Sequence, residues 1–139
     1  MYLLDTNIVS ETRRPSRHVA VMQWLAAQHP SRIFIPSIVF LELQRGVELT
    51  RKQNPVRASE IESWIDLLAA SSQIVTFDVA AAREYSRLHR RKPDFVSEDA
   101  MIAAIAKVNG YIVVTRNAKD FHQFGIPVFN PFPSKEQTK

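Results

Sequence analysis

Several acidic residues lie next to or within apolar segments of the sequence, where a carboxylate would have little contact with water. Asp5 follows an apolar segment at the start of the chain, Glu42 lies inside an apolar helical pattern, and Asp99 immediately precedes a run of apolar residues. A fourth acid, Asp120, comes shortly after the apolar segment 111–115. Carboxylates are seldom found in such surroundings unless they are paired, neutralised or bound to a cation. These four residues are therefore our candidates for chemistry.

Carboxylates that meet in one place favour a divalent cation. They repel one another and raise one another's pKa, so the ionised group is stable mainly when a hard ion is bound. The sequence has no cysteine, and its four histidines form no metal-binding pair, so the available ligands are oxygens. Oxygen ligands select Mg²⁺ or Mn²⁺ over zinc or copper. Such an ion can activate water and neutralise charge on a phosphate.

Each carboxylate also has a purely structural interpretation, and the sequence leaves both open. Asp5 can cap the first helix, Asp99 can complement a helix dipole, and Asp120 can belong to an ordinary capping turn. Glu42 is the hardest to explain in this way, because a lone carboxylate within an apolar helical run is strongly unfavourable. Arg45, three residues later, is the local cation that could neutralise it.

The charge balance suits a polyanionic partner. Eighteen Lys and Arg residues against 14 Asp and Glu give a net charge of +4 and a pI near 9.7, which is compatible with nucleic-acid binding. Basic residues also flank the acidic segments: Arg87, Arg90, Arg91 and Lys92 precede Asp99, and Arg116 and Lys119 flank Asn117. The first group has a structural alternative as the solvated end of a helix. A phosphodiesterase acting on nucleic acid would use both the acids and the bases.

Several classes of protein are excluded. Without cysteine there are no disulfide scaffolds, zinc fingers, thiol enzymes or iron–sulfur clusters. Three glycines are too few and too scattered for a P-loop or a dinucleotide-binding fingerprint. The longest apolar run, Ala100 to Ala106, is too short to span a bilayer, and Asp5 interrupts any signal peptide. We therefore expect a soluble, cytoplasmic protein.

The elements that must position the acids follow an alternating order. The 139 residues fit one domain, and apolar strands alternate with helical patterns, which predicts an α/β fold with a mostly parallel central sheet flanked by helices. We predict a single domain over residues 1–133 and a polar tail over 134–139. Predicted strands are 2–4, 32–35, 73–77, 111–115 and 127–129. Predicted helices start near Asn7 (ending before Pro15), Arg17 (to Gln28), the cap Ser37 (to Leu49), Pro55, the cap Asp78 (to Arg90) and the cap Ser97 (to Gly110).

Ligand crevices of open α/β sheets lie beyond the carboxyl ends of the strands. Asp5 and Asp120 follow strands, while Glu42 and Asp99 lie near the starts of helices. We therefore expect all four to reach one end of the sheet.

Four motifs, in order and at these spacings, resemble the PIN domain. They are Leu3-Leu4-Asp5-Thr6-Asn7; Pro36-Ser37 followed by Leu41-Glu42-Leu43 and Gly46; Asp99-Ala100-Met101-Ile102-Ala103-Ala104; and Val114-Thr115-Arg116-Asn117 with Asp120-Phe121. More narrowly, they resemble VapC toxins of bacterial type II toxin–antitoxin pairs, in the FitB-like or plasmid-stability branch. The resemblance covers nearly the whole chain.

The resemblance implies a Mg²⁺- or Mn²⁺-dependent endoribonuclease that cleaves single-stranded or structured RNA. It also implies a homodimer that is held inactive by a small antitoxin, whose own domain binds operator DNA. By position, Asp5, Glu42 and Asp99 match the acidic triad that holds the metal.

The polar residues around this triad are matched in the same way. Thr6, Asn7 and Thr115 match residues that orient the metal, with Arg116 and Asn117 beside them as substrate-binding or supporting groups. The chain departs from the family at the fourth acid: some members have Asp at the position of Asn117, whereas here the acid is Asp120, three residues later. Either residue can take the fourth catalytic position.

Other classes of function remain alternatives. Haloacid-dehalogenase-like phosphatases need a second Asp two residues after the nucleophile, where this chain has Asn7. Receiver domains need a lysine at a strand end, where this chain has Arg116 after Thr115. A non-catalytic module, whose acidic pocket captures a basic side chain of a protein partner, would use the same carboxylates as a nuclease.

Overall fold

A parallel sheet organises the molecule. The computed structural model describes residues 1–88 and 97–133. The elements of these residues, in chain order, are β1 (Tyr2–Leu4), α1 (Thr6–Glu11), α2 (Val19–Ala27), a 3-10 turn (Pro30–Arg32), β2 (Ile33–Pro36), α3 (Ser37–Arg51), α4 (Pro55–Ser71), β3 (Ile74–Val75), α5 (Val79–Leu88), α6 (Glu98–Asn109), β4 (Ile112–Val114), α7 (Ala118–His122) and β5 (Val128–Phe129). The strand order is β3-β2-β1-β4-β5, with every pair parallel.

Strand β1 lies at the centre of this sheet, between β2 and β4. Leu4 is in register with Val114, so the residues that follow them, Asp5 and Thr115, are neighbours. The chain winds outward from β1 through β2 to β3 and then returns to the other side of β1 with β4. This reversal is the switch point at which open α/β sheets form their crevice. The fold therefore places Asp5 at the position most suited to a ligand site.

Both faces of the sheet are covered by apolar side chains. Alternation along β1 and β4 sends Leu3 and Val113 to one face, and Leu4 and Val114 to the other. The first face packs against α5, α6 and α7, and the second against α1, α2 and α3. Because the strands are short and buried on both faces, their apolar runs are continuous, as in other parallel sheets.

Helix α6 is buried over most of its circumference and ends as predicted. Its residues from Ile102 to Ala106 are all inaccessible to solvent. The helix stops at Gly110, which adopts a left-handed conformation with φ of 70°. Glycine takes this conformation without steric strain, so it is a common residue after the last turn of a helix. Asp78 and Ser97 also act as predicted, since their side-chain oxygens accept hydrogen bonds from Ala81 and Ala100.

The predicted fold class is confirmed, and two local predictions are wrong. Ser37 is the first residue of α3 rather than its cap: its Oγ accepts a hydrogen bond from the Phe77 backbone N–H at 3.0 Å, and Pro36 occupies the cap position. The segment after β4, for which no helix is predicted, contains the short helix α7. The predicted strand 73–77 is paired at Ile74–Val75.

Some predictions fall on residues 89–96 and 134–139, which lie outside the described ranges. These are the end of the helix predicted to Arg90, the basic residues Arg90, Arg91 and Lys92, and the polar tail. None of the helices within 1–88 and 97–133 is long and apolar enough to cross a membrane.

Candidate active site

Asp5 is buried at the carboxyl end of β1 and is held by three hydrogen-bond donors. Its Oδ1 accepts from the Thr6 backbone N–H at 2.8 Å, which makes Asp5 the cap of α1. Its Oδ2 accepts from the Thr115 hydroxyl at 2.8 Å and from the Asn7 side-chain amide at 3.2 Å. Burial raises the pKa of Asp5, and the three hydrogen bonds oppose that rise. Asp5 therefore caps α1 and is also the candidate site residue at the end of β1.

Asn7 and Thr115 fasten the loop after β4 to the first turn of α1. The Asn7 side-chain oxygen accepts a hydrogen bond from the Arg116 backbone N–H at 3.0 Å, and its amide nitrogen also donates to Thr115 Oγ1 at 3.3 Å. Thr115 Oγ1 accepts in turn from the Asn117 backbone N–H at 3.0 Å. This network fixes the Asp5 carboxylate between two strand ends.

Glu42 lies in the second turn of α3, near other carboxylates. Burial raises the pKa of Glu42 to about 7, and the charges of Asp5 and Asp99 add to the rise. The Thr6 hydroxyl is close enough to oppose the rise, but it does not meet the geometry of a hydrogen bond to Glu42. Glu42 Oε1 and Thr6 Oγ1 are thus both buried without a hydrogen-bond partner among the described residues. Such atoms need an explanation, and a bound ion is one.

Asp99 is in the first turn of α6, where the Ser97 cap directs the helix towards the end of the sheet. Burial raises the pKa of Asp99 to about 6, and the charges of Asp5 and Asp120 add to the rise. Asp120 itself is exposed on α7. The structure therefore brings all four predicted acids to one end of the sheet, with Asp120 at its outer edge.

Arg45 does not neutralise Glu42, so that structural alternative is wrong. Its guanidinium donates a hydrogen bond to Glu98 Oε1 at 2.7 Å, and this contact lowers the pKa of Glu98. The ion pair joins α3 to α6, the two helices that carry Glu42 and Asp99. Arg45, which was the predicted partner of Glu42, thus pairs with Glu98, the residue next to Asp99.

Arg116 and Asn117 support the site mainly through their backbone. Both donate backbone N–H groups into the network around Asp5, as described above. The Arg116 side chain is exposed, and its guanidinium carbon lies 4.7 Å from the centre of the Phe132 ring. Asn117 precedes α7, and its side chain makes no capping hydrogen bond to that helix. The side chain of Asn117 is therefore not engaged in the predicted capping turn.

The donor set fits a magnesium-type ion without forming a closed site. No group of three or more Asp, Glu or His side chains within 1–88 and 97–133 is already arranged to hold a metal. Even so, Asp5, Glu42 and Asp99 offer oxygen ligands, and they include the unpaired Glu42 Oε1. Besides burial, the charge of Asp5 raises the pKa of both Glu42 and Asp99. A divalent cation would offset this repulsion and satisfy that oxygen.

A cleft of about 670 Å³ opens beside Glu42 and was not predicted from the sequence. It lies between α1 with the segment after it and the α3–α4 hairpin, and its polar lining includes Thr6, Glu42, Arg13, Arg14 and Arg57. The three arginines are far apart in sequence from the predicted basic groups. One feature of the sequence pointed to this cleft: Glu42 and Gly46 are four residues apart, so a helix places them on one face.

Comparison with known proteins identifies the family. The profile of the PIN domain matches residues 2–126. The chain therefore belongs to the PIN-domain family, as its motifs predicted. The single-domain α/β architecture agrees with this assignment.

Similarity to individual proteins relates the chain to the FitB and VapC branch of the PIN-domain family. The chain is 32% identical to toxin FitB of Neisseria gonorrhoeae, with 95% of this chain and 99% of that protein covered. It is 28% identical to VapC ribonuclease Y4jK of Sinorhizobium fredii, over 95% of this chain and 98% of that one. The structure of FitAB bound to an IR36 DNA fragment superposes with a TM-score of 0.76 at 30% identity, covering 97% of this chain and 98% of that one. The predicted resemblance to FitB and VapC proteins is confirmed.

Proposed function

We propose that this protein is an endoribonuclease that uses Mg²⁺ or Mn²⁺ and serves as the toxin of a type II toxin–antitoxin pair. One observation carries the proposal: three carboxylates from separate elements, Asp5, Glu42 and Asp99, lie at the switch-point end of a PIN-domain sheet. Burial raises the pKa of Glu42 and of Asp99, and the charge of Asp5 adds to both rises. The names of the FitB and VapC relatives support both the nuclease activity and the toxin role.

The metal would be held by Asp5, Glu42 and Asp99, with Asp120 or Asn117 at the edge of the site. A divalent ion supplies an activated water and neutralises charge that develops on the phosphate. Asp5 is the pre-oriented member, because three donors hold its carboxylate in place. Glu42 and Asp99 are the adjustable members, since each is half-buried.

Protons take the place of the ion when metal is absent. Because the pKa of Glu42 is about 7, its carboxyl group is close to half protonated at neutral pH. Glu42 can thus hold a proton on its carboxyl group, and a bound cation would favour the ionised form. Thr6, Asn7 and Thr115 serve as supporting residues that orient Asp5.

The proposal extends to partners. The relative named FitB and the structural match to FitAB on DNA support an antitoxin partner that joins the toxin to operator DNA. A homodimer and an RNA substrate are parts of the same proposal, as is a cytoplasmic location, where RNA is accessible. The net charge of +4 favours association with RNA.

The test is cleavage of a mixed RNA pool by purified protein, with Mn²⁺ and with EDTA. We expect products with Mn²⁺ and none with EDTA. Glu42→Gln should abolish cleavage, whereas the matched control Glu48→Gln, on the exposed side of the same helix, should not. A contaminating nuclease would not respond to either substitution.

The alternative function, an acidic pocket that captures a basic side chain of a protein, gives a different result. In that case the purified wild-type protein would yield no metal-dependent product from any RNA. A growth test adds a cellular readout: the toxin proposal predicts arrest when this protein is expressed without the protein encoded by the gene immediately upstream.

A further inference from the structure

Glu98 is an acid that the proposed metal site does not use, although it stands directly beside Asp99 in the first turn of α6. Burial is the main cause of the raised pKa values of Glu42 and Asp99, and the charge of Glu98 adds to both. The pKa of Glu98 itself is lowered, mainly by the hydrogen bond that its Oε1 accepts from Arg45 at 2.7 Å. Glu98 is thus ionised and oriented without a cation, and its function depends on Arg45.

The Arg45–Glu98 pair spans the same two helices as two of the site acids. Arg45 lies one helical turn after Glu42 on α3, and Glu98 is the residue before Asp99 on α6. Within 1–88 and 97–133, no other ion pair or side-chain hydrogen bond joins α3 to α6. Each helix packs mainly against a different neighbour, α3 against α4 and α6 against α5. The relative position of Glu42 and Asp99 therefore depends on few direct contacts.

Glu42 lies between two such contacts along α3. Ile38, one turn before Glu42, belongs to the apolar cluster that contains Ile102 of α6. Arg45, one turn after Glu42, holds the first residue of α6. The ionised carboxylates act in the opposite direction, because the charges of Asp5 and Asp99 disfavour a close approach of ionised Glu42. An ion pair beside Glu42 offsets part of this repulsion before any cation binds.

We propose that Arg45 and Glu98 are positioning residues, which hold α3 and α6 together so that Glu42 and Asp99 can bind the same divalent cation; this inference rests on the proposed ribonuclease function. Neither side chain contacts the cation. Ligands that are already in place bind an ion more tightly, because less of the interaction energy is used to order them.

Other roles for the pair predict different effects on cation binding. If Arg45 acted only through its positive charge, its removal would strengthen the binding of a cation. If Glu98 were itself a ligand, the removal of Arg45 would free it and again strengthen binding. If Arg45 bound a phosphate of RNA, its removal would raise the KM for RNA and leave the affinity for the cation unchanged. A positioning pair alone predicts that removal of either partner weakens cation binding.

The experiment measures the affinity of the metal-free full chain for MnCl₂ by isothermal titration calorimetry, at pH 8 and physiological ionic strength. Glu42, whose pKa is about 7, is mostly ionised at this pH. The variants are Arg45→Met, Glu98→Gln, the combination of both, and Arg45→Lys, which keeps the positive charge. Both partners are at least partly exposed, with 58% of the Arg45 side chain and 31% of the Glu98 side chain accessible, so the variants are expected to fold.

Lys107→Met is the matched control. Lys107 forms an ion pair of the same kind, at 3.0 Å from Glu84 of α5, and its side chain is 52% exposed. It lies in the last turn of α6, roughly 12 Å along the helix axis from Asp99. This variant therefore removes an ion pair between helices without altering the contact between α3 and α6.

We expect Arg45→Met and Glu98→Gln each to raise the Kd for Mn²⁺ roughly two- to fivefold, the range for a partly exposed ion pair. The combined variant should raise it no further than the single ones, because each of them already removes the pair. Arg45→Lys should lie close to wild type, and Lys107→Met should match it. In cleavage assays the Mn²⁺ concentration for half-maximal rate should rise by the same factor, with the KM for RNA unchanged.

Several outcomes would overturn the positioning role while the ribonuclease stands. They are wild-type Mn²⁺ affinity in all variants, tighter binding by Arg45→Met, a raised KM for RNA without a change in Mn²⁺ affinity, or equal weakening by Lys107→Met. A product of the two single effects in the combined variant would also overturn it, since the residues would then act independently. If wild type neither binds Mn²⁺ nor cuts RNA, the proposed function and the positioning role are both overturned.

Discussion

Glu42→Gln should stabilise the metal-free protein at alkaline pH and should have little effect on its stability at acidic pH. The folded state raises the pKa of Glu42 from 4.5 to about 7. Between these pH values the folded protein binds more protons at Glu42 than the unfolded chain does, so stability falls as the pH rises. Above pH 7 the full destabilisation is present, and below pH 4.5 it is absent. Glutamine, which carries no charge, removes this dependence.

The magnitude follows from the same pKa. At about 1.4 kcal/mol per pH unit, a rise from 4.5 to about 7 sets an upper limit of about 3.5 kcal/mol. Glu42 is only half-buried, so solvent screens a large part of this energy, and we expect about 1–2 kcal/mol at pH 8. For a chain of this length, that corresponds to an increase of roughly 3–8 °C in the melting temperature.

The assay is thermal unfolding in EDTA at pH 5 and pH 8, followed by circular dichroism. Glu48→Gln is the control on the same helix. Glu48 is fully exposed, and its hydrogen bonds with Arg51 and Gln44 lower its pKa, so its removal should not stabilise the protein at either pH. Equal effects of Glu42→Gln at both pH values, or a loss of stability at pH 8, would refute the view that Glu42 is held among other carboxylates.

Three further predictions follow from the same geometry. Thr115→Val should lower the free energy of unfolding by about 1–3 kcal/mol in urea titrations, because the buried Asp5 carboxylate loses a donor; unchanged stability would mean that this hydrogen bond is dispensable. Gly46→Ala should raise it by about 0.5–1 kcal/mol, and a decrease would show that the cleft wall has no room for a methyl group. Millimolar Mn²⁺ should raise the melting temperature of wild type more than that of Asp99→Asn, and equal increases would place the ion elsewhere.

The positions of the site acids could be predicted because the sheet imposes them. Asp5 follows a short apolar strand, and the carboxyl ends of parallel strands lie on one edge, so its place needed only the order of the elements. Glu42 and Asp99 were conspicuous because charged residues interrupt or open apolar helical runs. Each of these acids could be recognised from the residues next to it in the sequence, and the topology of the sheet brings the three acids close together.

The partners of these residues could not be predicted in the same way. Arg45 bonds Glu98, 53 residues away, rather than Glu42 on its own helix, because the packing of α3 beside α6 decides the pairing. Glu11 is buried and accepts a hydrogen bond from the His18 backbone N–H at 2.6 Å, although its neighbourhood of arginines resembles an exposed helix end. Such contacts depend on side-chain directions that emerge only when the elements have packed.

The cleft was missed for a related reason. It is formed by three helices, and the residues that line it come from segments as distant as Thr6 and Trp64. The sequence showed Gly46 as part of a motif, but it did not show that the space above this residue is empty. Concave surfaces are a property of how helices diverge rather than of the pattern along any one helix.

The most direct test of the metal site is anomalous diffraction from crystals of the wild-type protein soaked in MnCl₂. Our account predicts an anomalous peak bounded by the carboxylates of Asp5, Glu42 and Asp99, which disappears in Glu42→Gln crystals treated identically. A peak elsewhere on the molecule, or none between these three side chains at saturating Mn²⁺, would contradict it.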